Sequence, residues 1–242
     1  RSGESAVPVQ LDGTANALQH YSAMGRDEHG AKWVNLIPGD KPADLYSEIA
    51  STAQDIVAAH AAGESDATIR VNYQYIPVAE IPGCLDGWIK RPVVRQPTRA
   101  FLYRLPGVGA RKQVQGQLKK AGFDSKRLYV ASKYLSAIVL DSVAEVCPAA
   151  VEAMEFLETC AGLIVNEADE LVRWNTPLGF PAVQPYRNER PLRVDTVVGQ
   201  HKVRFGRMAP VACGKQVQAF APNFVHSLDA THMLMVAKRC RE

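Results

Sequence analysis

The chain has 242 residues, 47% of them hydrophobic and 7% aromatic, which is ordinary globular composition with enough apolar material for a sizeable core. There is no run of about 18 apolar residues and no charged-then-apolar leader, so a membrane span and a secretory signal are unsupported and the expectation is a soluble, intracellular protein. The five cysteines are scattered, odd in number and form no Cys-x-x-Cys pair, so neither a disulfide framework nor a zinc site is suggested.

The chain opens with a short apolar stretch, Val7 to Leu11, that runs into Asp12-Gly13-Thr14. A strand there delivers the Asp12 carboxylate at its carboxyl end, where α/β sheets place ligands. An ordinary turn, or a cap on the following helix, is the alternative reading of Asp12-Gly13. The helix after it is expected to turn Leu18, Tyr21 and Ser22 to one side, with His20 as readily structural as catalytic. Asp40 with Pro42 predicts the start of a helix that carries Leu45, Ile49, Ile56 and Val57 and ends at Gly63. Residues 64–87 read as loop-rich.

Arg91 and Arg95 are four apart and share one face of a predicted helix, and Tyr103 lies eight residues further on nearly the same face. Such a helix meets phosphate at one end and a sugar or base at the other. Pro92 suits its first turn, and Pro97 imposes a kink. Pro106 to Gly109 reads as a turn, followed by helices over 110–121, 129–146 and 149–167, with Pro148 between the last two. Ile138, Val139, Ala153, Met154, Phe156 and Leu157 are assigned to the core. From Leu171 strands are expected, with residues 193–198 and 201–205 flanking a Gly199-Gln200 hairpin turn. Asn223 then caps a helix whose Val225, Leu228, Met233 and Val236 point inward. His226, Asp229 and His232 on it have ligand-like spacing, which alone is weak support for zinc.

Charge is segmented although the formal net value is only +3. Residues 88–133 hold twelve Lys or Arg against one acid, Asp124, whereas residues 134–170 hold eight acids and no Lys or Arg. Residues 187–215 hold seven basic residues and two acids. Basic blocks interleaved with Phe101, Tyr103 and Tyr129 suit a phosphate-rich partner, and a solvated charged face is the alternative.

Three stretches in order carry a resemblance to the single-subunit DNA-directed RNA polymerases of bacteriophages and mitochondria. They are Asp12-Gly13-Thr14 with Leu18-Gln19-His20-Tyr21-Ser22-Ala23-Met24, then Trp174 to Pro181 with Gln184-Pro185-Tyr186-Arg187, then Ala221 to Met233. The resemblance implies an α+β fold, the palm and fingers portion of a right-hand polymerase, largely helical with a small antiparallel sheet and a β-hairpin. Residues 1–87 would be palm with the first catalytic motif, 88–170 fingers-like helices, and 171–242 palm strands, specificity-like hairpin and the following helix. It further implies template-dependent ribonucleotide transfer by a two-metal mechanism with Mg²⁺, acting on a DNA template and promoter, ribonucleoside triphosphates and RNA product, without a membrane. The setting would be the host cytoplasm for a phage enzyme and the mitochondrion for an organellar one.

By position, the resemblance gives Asp12, Arg95 and Tyr103 catalytic roles and makes Asp12 and Gly13 the metal ligands. Arg91, Arg95, Tyr103 and His226 become substrate-binding, and Arg193, Lys202 and Arg204 on the hairpin contact DNA. This sequence has Ala17 where the family usually has Gly, Arg95 where it has Lys, Arg99 in place of an apolar residue and Arg104 where Gly follows the Tyr. Arg95 keeps the charge but gives up a proton far less readily than Lys. The family takes its second metal-binding carboxylate from a His-Asp pair, and no His-Asp dipeptide occurs in these residues. A partial polymerase chain is the expectation, and a catalytically inactive nucleic-acid-binding remnant is the alternative, with Asp229 assigned a structural hydrogen bond.

Overall fold

The structure is a computed structural model that describes residues 15–64, 67–71, 74–103, 107–188, 192–203 and 209–241. Asp12, Gly13, Arg104 and Arg204 therefore lie outside the described residues, as does the strand expected before Asp12. Eight α-helices carry the described fold: α1 (Asn16–Gly25), α2 (Glu28–Trp33), α3 (Leu45–Ala61), α4 (Arg91–Leu102), α5 (Gly107–Ala121), α6 (Leu128–Val146), α7 (Pro148–Ala168) and α8 (Cys213–Arg241). Six short strands join them: β1 (Thr68–Val71), β2 (Gln74–Pro77), β3 (Arg173–Asn175), β4 (Pro181–Val183), β5 (Leu192–Thr196) and β6 (Gly199–Val203). The strands pair in sequence order as three separate antiparallel ribbons, not as one small sheet.

Most of the core is one apolar cluster that runs from α1 through α3, α4, α5 and α6 to Met154 on α7 and Val225 on α8. Leu18, Tyr21 and Ser22 are buried as the helical spacing predicts, and they seat α1 in the angle between α7 and α8. A smaller cluster joins Ala161 and Val165 of α7 to Val172, Val211 and Phe220. It continues as an aromatic group in which Trp174 meets Phe220 edge-on at 5.4 Å and Phe224 at 6.2 Å, while its indole N–H donates to Ser227 Oγ at 2.9 Å. This group fastens β3 to α8. Among the described residues no single helix is long and apolar enough to cross a membrane.

Several expected boundaries move, each for a local reason. The cap of α3 is Asp44, whose side chain accepts from the Tyr46 backbone N–H, and not Asp40. Residues 64–87 hold the β1–β2 ribbon and two short 3-10 turns, Val78–Glu80 and Pro82–Cys84. Gly107 to Gly109, expected in a turn, already belong to α5, and Pro106 lies outside the described residues. The hairpin turns at Val197-Val198, two residues before the expected place, because Thr196 pairs with Gly199. Thr196 Oγ1 donates to the Gly199 carbonyl at 2.9 Å, and Gly199 supplies a φ of +130° that side chains rarely adopt. Asn223 caps nothing, since α8 runs unbroken through it and through Pro222. Phe156, Met233 and Val236, expected in the core, are exposed.

Candidate functional site

The site is built on α4, which begins with Arg91 and delivers Tyr103 at its carboxyl end. Pro92 sits in its first turn, where a missing N–H costs little, and Pro97 lies inside it. Val93, Val94, Ala100 and Leu102 are buried and hold the helix against the core. The opposite face carries the arginines. At 1.5 Å rise per residue, Arg95 and Tyr103 stand roughly 12 Å apart along the axis, a separation that a phosphate chain and a sugar can bridge.

At the first end, Arg91 Nε donates to Asp44 Oδ2 at 2.6 Å, and the guanidinium groups of Arg91 and Arg95 lie 5.3 and 5.8 Å from the ring of Tyr46. The predicted shared face is thus observed, together with an aromatic platform from α3. Partial burial opposes ionisation of Asp44, but the hydrogen bonds from Arg91 and Ser47 outweigh it and hold the carboxyl below its ordinary pKa. The same hydrogen bond from Arg91 to Asp44 raises the guanidinium further above its ordinary value.

At the other end, the ring of Tyr103 lies 4.7 Å from that of His226 on α8, tilted by 34°. Beside this pair a cleft of about 250 Å³ is lined by Tyr103, Tyr186, Lys215, Gln218, Ala219 and Pro222. Two aromatic walls and a lysine suit a stacked base with its phosphate. Gln184 and Gln216 are both buried and share three hydrogen bonds: Gln184 Nε2 donates to the Gln216 carbonyl and to Gln216 Oε1, and Gln216 Nε2 donates to the Gln184 carbonyl. Asn223 Nδ2 donates to Gln184 Oε1 at 2.7 Å and to the Tyr186 hydroxyl at 3.2 Å. This polar network went unread in the sequence, where two Gln 32 residues apart give no local signal.

His20 is placed as a structural residue, 3.5 Å from Asp229. Asp229 also accepts from Asn16 Nδ2 at 3.2 Å, so it ties α1 to α8 as expected of a structural carboxylate. Among the described residues no group of three His, Cys, Asp or Glu is placed to hold a metal ion, so His226, Asp229 and His232 do not form a zinc site. On the hairpin, Arg193 and Lys202 are direct cross-strand partners and both are exposed. Like charges opposite one another cost stability in a ribbon, and an anionic partner relieves that cost.

The family model for DNA-dependent RNA polymerase matches residues 2–242, and the chain belongs to that family. It is 38% identical to the DNA-directed RNA polymerase 2B, chloroplastic/mitochondrial, of Nicotiana tabacum over 98% of this chain and 22% of the relative. It is 37% identical to the tobacco DNA-directed RNA polymerase 2A over 98% of this chain and 69% of the relative. The DNA-directed RNA polymerase 3, chloroplastic, of Nicotiana sylvestris is 39% identical over 98% of this chain and 24% of the relative. The chain thus spans about a quarter or less of the length of two of these relatives and about two thirds of the third.

Proposed function

We propose that these residues are the nucleotide-holding palm and fingers portion of an enzyme that copies DNA into RNA. The observation that carries this reading is the arrangement along α4, with two arginines at one end and the Tyr103–His226 ring pair at the other. Arg91 and Arg95 take the triphosphate, whose charge calls for paired guanidinium groups. Tyr103 and His226 take the sugar and base. Residues 1–87 and 171–242 supply palm and hairpin, and 88–170 the fingers. Arg193, Lys202 and Arg204 contact the DNA of template and promoter, the hairpin ribbon being of a size that a major groove admits.

Asp12 and Gly13 are the metal ligands of this reading. A carboxylate and a backbone carbonyl are the hard oxygen donors that suit Mg²⁺, which when bound neutralises phosphate charge and activates the attacking hydroxyl. Asp229 is not counted with that pair, since it is engaged with Asn16 and His20. The named relatives are plant chloroplast and mitochondrial enzymes, which favours an organellar setting over a phage-infected cytoplasm.

The test is a chimera in which residues 1–242 replace the matching region of a full-length relative. It should extend an RNA primer on a DNA template with Mg²⁺ and ribonucleoside triphosphates, and should use 2′-deoxy substrates more slowly. Tight, salt-dependent template binding with no extension would favour the inactive nucleic-acid-binding remnant instead.

A further inference from the structure

Asp44 caps α3 and Tyr46 lies in its first turn, outside every motif that carries the family resemblance, yet Asp44 holds Arg91 and the Tyr46 ring lies under both arginines of α4. The Asp44 carboxylate divides its two oxygens between separate tasks. Oδ1 accepts from the Tyr46 backbone N–H at 3.2 Å and caps α3, while Oδ2 accepts from Ser47 Oγ at 2.7 Å and from Arg91 Nε at 2.6 Å. The cap fixes the carboxylate, and the carboxylate fixes the arginine. Tyr46 is only 5% exposed, so the ring beneath Arg91 and Arg95 cannot swing away. The contact to Arg91 uses Nε, so the bond to Asp44 does not occupy the terminal fork of the guanidinium, an edge that grips phosphate oxygens in pairs.

We infer that Asp44 is a positioning residue for the phosphate chain of the nucleotide, pinning Arg91 through Nε over the Tyr46 ring so that its terminal nitrogens meet the phosphate already oriented. The inference rests on the proposed nucleotide-holding role of α4. Two effects of Asp44 on an incoming polyanion oppose each other. Its negative charge repels phosphate, but the Arg91 guanidinium that stands between the two offsets that charge, and the half-exposed setting keeps the remaining repulsion small. Its hydrogen bond removes rotamer freedom from a long, half-exposed side chain before the ligand arrives, and ordering such a side chain at binding is the larger cost. Positioning therefore outweighs repulsion.

The sign of the effect makes the test decisive. Inorganic tripolyphosphate, titrated calorimetrically into the 242-residue chain, should bind with an affinity that Arg91→Ala lowers. Asp44→Asn keeps an equally good helix cap, so the fold should melt within a few degrees of the parent, and it adds one unit of net positive charge. Charge alone predicts tighter binding by this variant. Pinning predicts weaker binding by about fivefold, the size expected for lost preorganisation of one side chain. In the Arg91→Ala background the same substitution should no longer weaken binding, because there is no arginine left to orient.

Equal or tighter binding by Asp44→Asn would overturn the inference while leaving the phosphate role of Arg91 intact. An equal loss with and without Arg91 would overturn it as well, showing a structural effect only. If the unmutated chain does not bind tripolyphosphate, the reading of α4 fails and the role of Asp44 fails with it.

Discussion

In the full-length chimera, Asp12→Asn should abolish RNA-primer extension, a loss on the order of 10³-fold or more, while template binding stays within about twofold of the parent. The asymmetry follows from where the charges lie. In the proposed reading template affinity is spread over many basic residues, and residues 88–133 and 187–215 hold twelve and seven Lys or Arg. Removing one carboxylate from elsewhere does not lower that total. Nucleotide transfer instead needs a hard anionic oxygen on the metal, which Asn cannot supply with charge. Equal loss of extension and of template binding would contradict the metal role and point to Asp12 as a structural cap. Retained extension would remove Asp12 from the chemistry altogether. Primer extension and fluorescence anisotropy on the same preparation separate these outcomes.

The largest stability effect is expected at Gln216. Its side chain is fully buried and makes four hydrogen bonds: it accepts from the Val172 N–H and Gln184 Nε2 and donates to the carbonyls of Gln184 and Tyr186. Gln216→Leu fills nearly the same volume but leaves the Val172 N–H and the Gln184 carbonyl buried without that partner, while the Tyr186 carbonyl keeps the Ala212 N–H at 3.1 Å. Each orphaned group costs about 1 to 3 kcal/mol, so a loss of about 3 to 5 kcal/mol is expected in urea unfolding. Asn223→Ala removes only two bonds at a partly buried position and should cost about 1 kcal/mol. A loss below about 1 kcal/mol for Gln216→Leu would show that the network does not hold residues 184–187 to α8.

The parts of the fold that were legible in the sequence are those whose signal is local and repeated. α6 and α7 are written as apolar periodicity on either side of Pro148, and the observed break falls there. The buried stripe of Leu18, Tyr21 and Ser22 follows from helical spacing alone. Where two local signals competed, tertiary contacts chose between them. Asp40 and Asp44 both precede a helical pattern, but only Asp44 also meets Arg91, 47 residues away, and the helix starts there. Gly199-Gln200 looks like a hairpin turn, yet Thr196 closes the turn around Val197-Val198, which propensity would not select.

α8 passes through Pro222 although that residue offers no N–H to the preceding turn, and Asn223 serves the network around Gln184 instead of a cap. The exposure of Phe156 and Met233 is likewise invisible to periodicity, which finds a stripe but not what covers it. For the candidate site, Arg91, Arg95, Tyr103 and His226 came from motif positions. The structure brings the first two together over Tyr46 and the last two into ring contact. Asp44, Tyr46 and Gln216 had no such signal, and Gln184, although it lies in a matched stretch, gave no sign of its partner, because these contacts exist only across long sequence separations.

The central claim is that α4 and α8 hold a ribonucleotide between the arginine pair and the ring pair. The most direct measurement is a titration of the 242-residue chain with a ribonucleoside triphosphate and, separately, its 2′-deoxy counterpart, following the ring resonances of Tyr103 and His226 by NMR. The account predicts that the ribonucleotide shifts both rings, that the deoxynucleotide shifts them less, and that Arg91→Ala with Arg95→Ala abolishes both responses. Nucleotide binding that leaves both rings unmoved and survives loss of both arginines would contradict it.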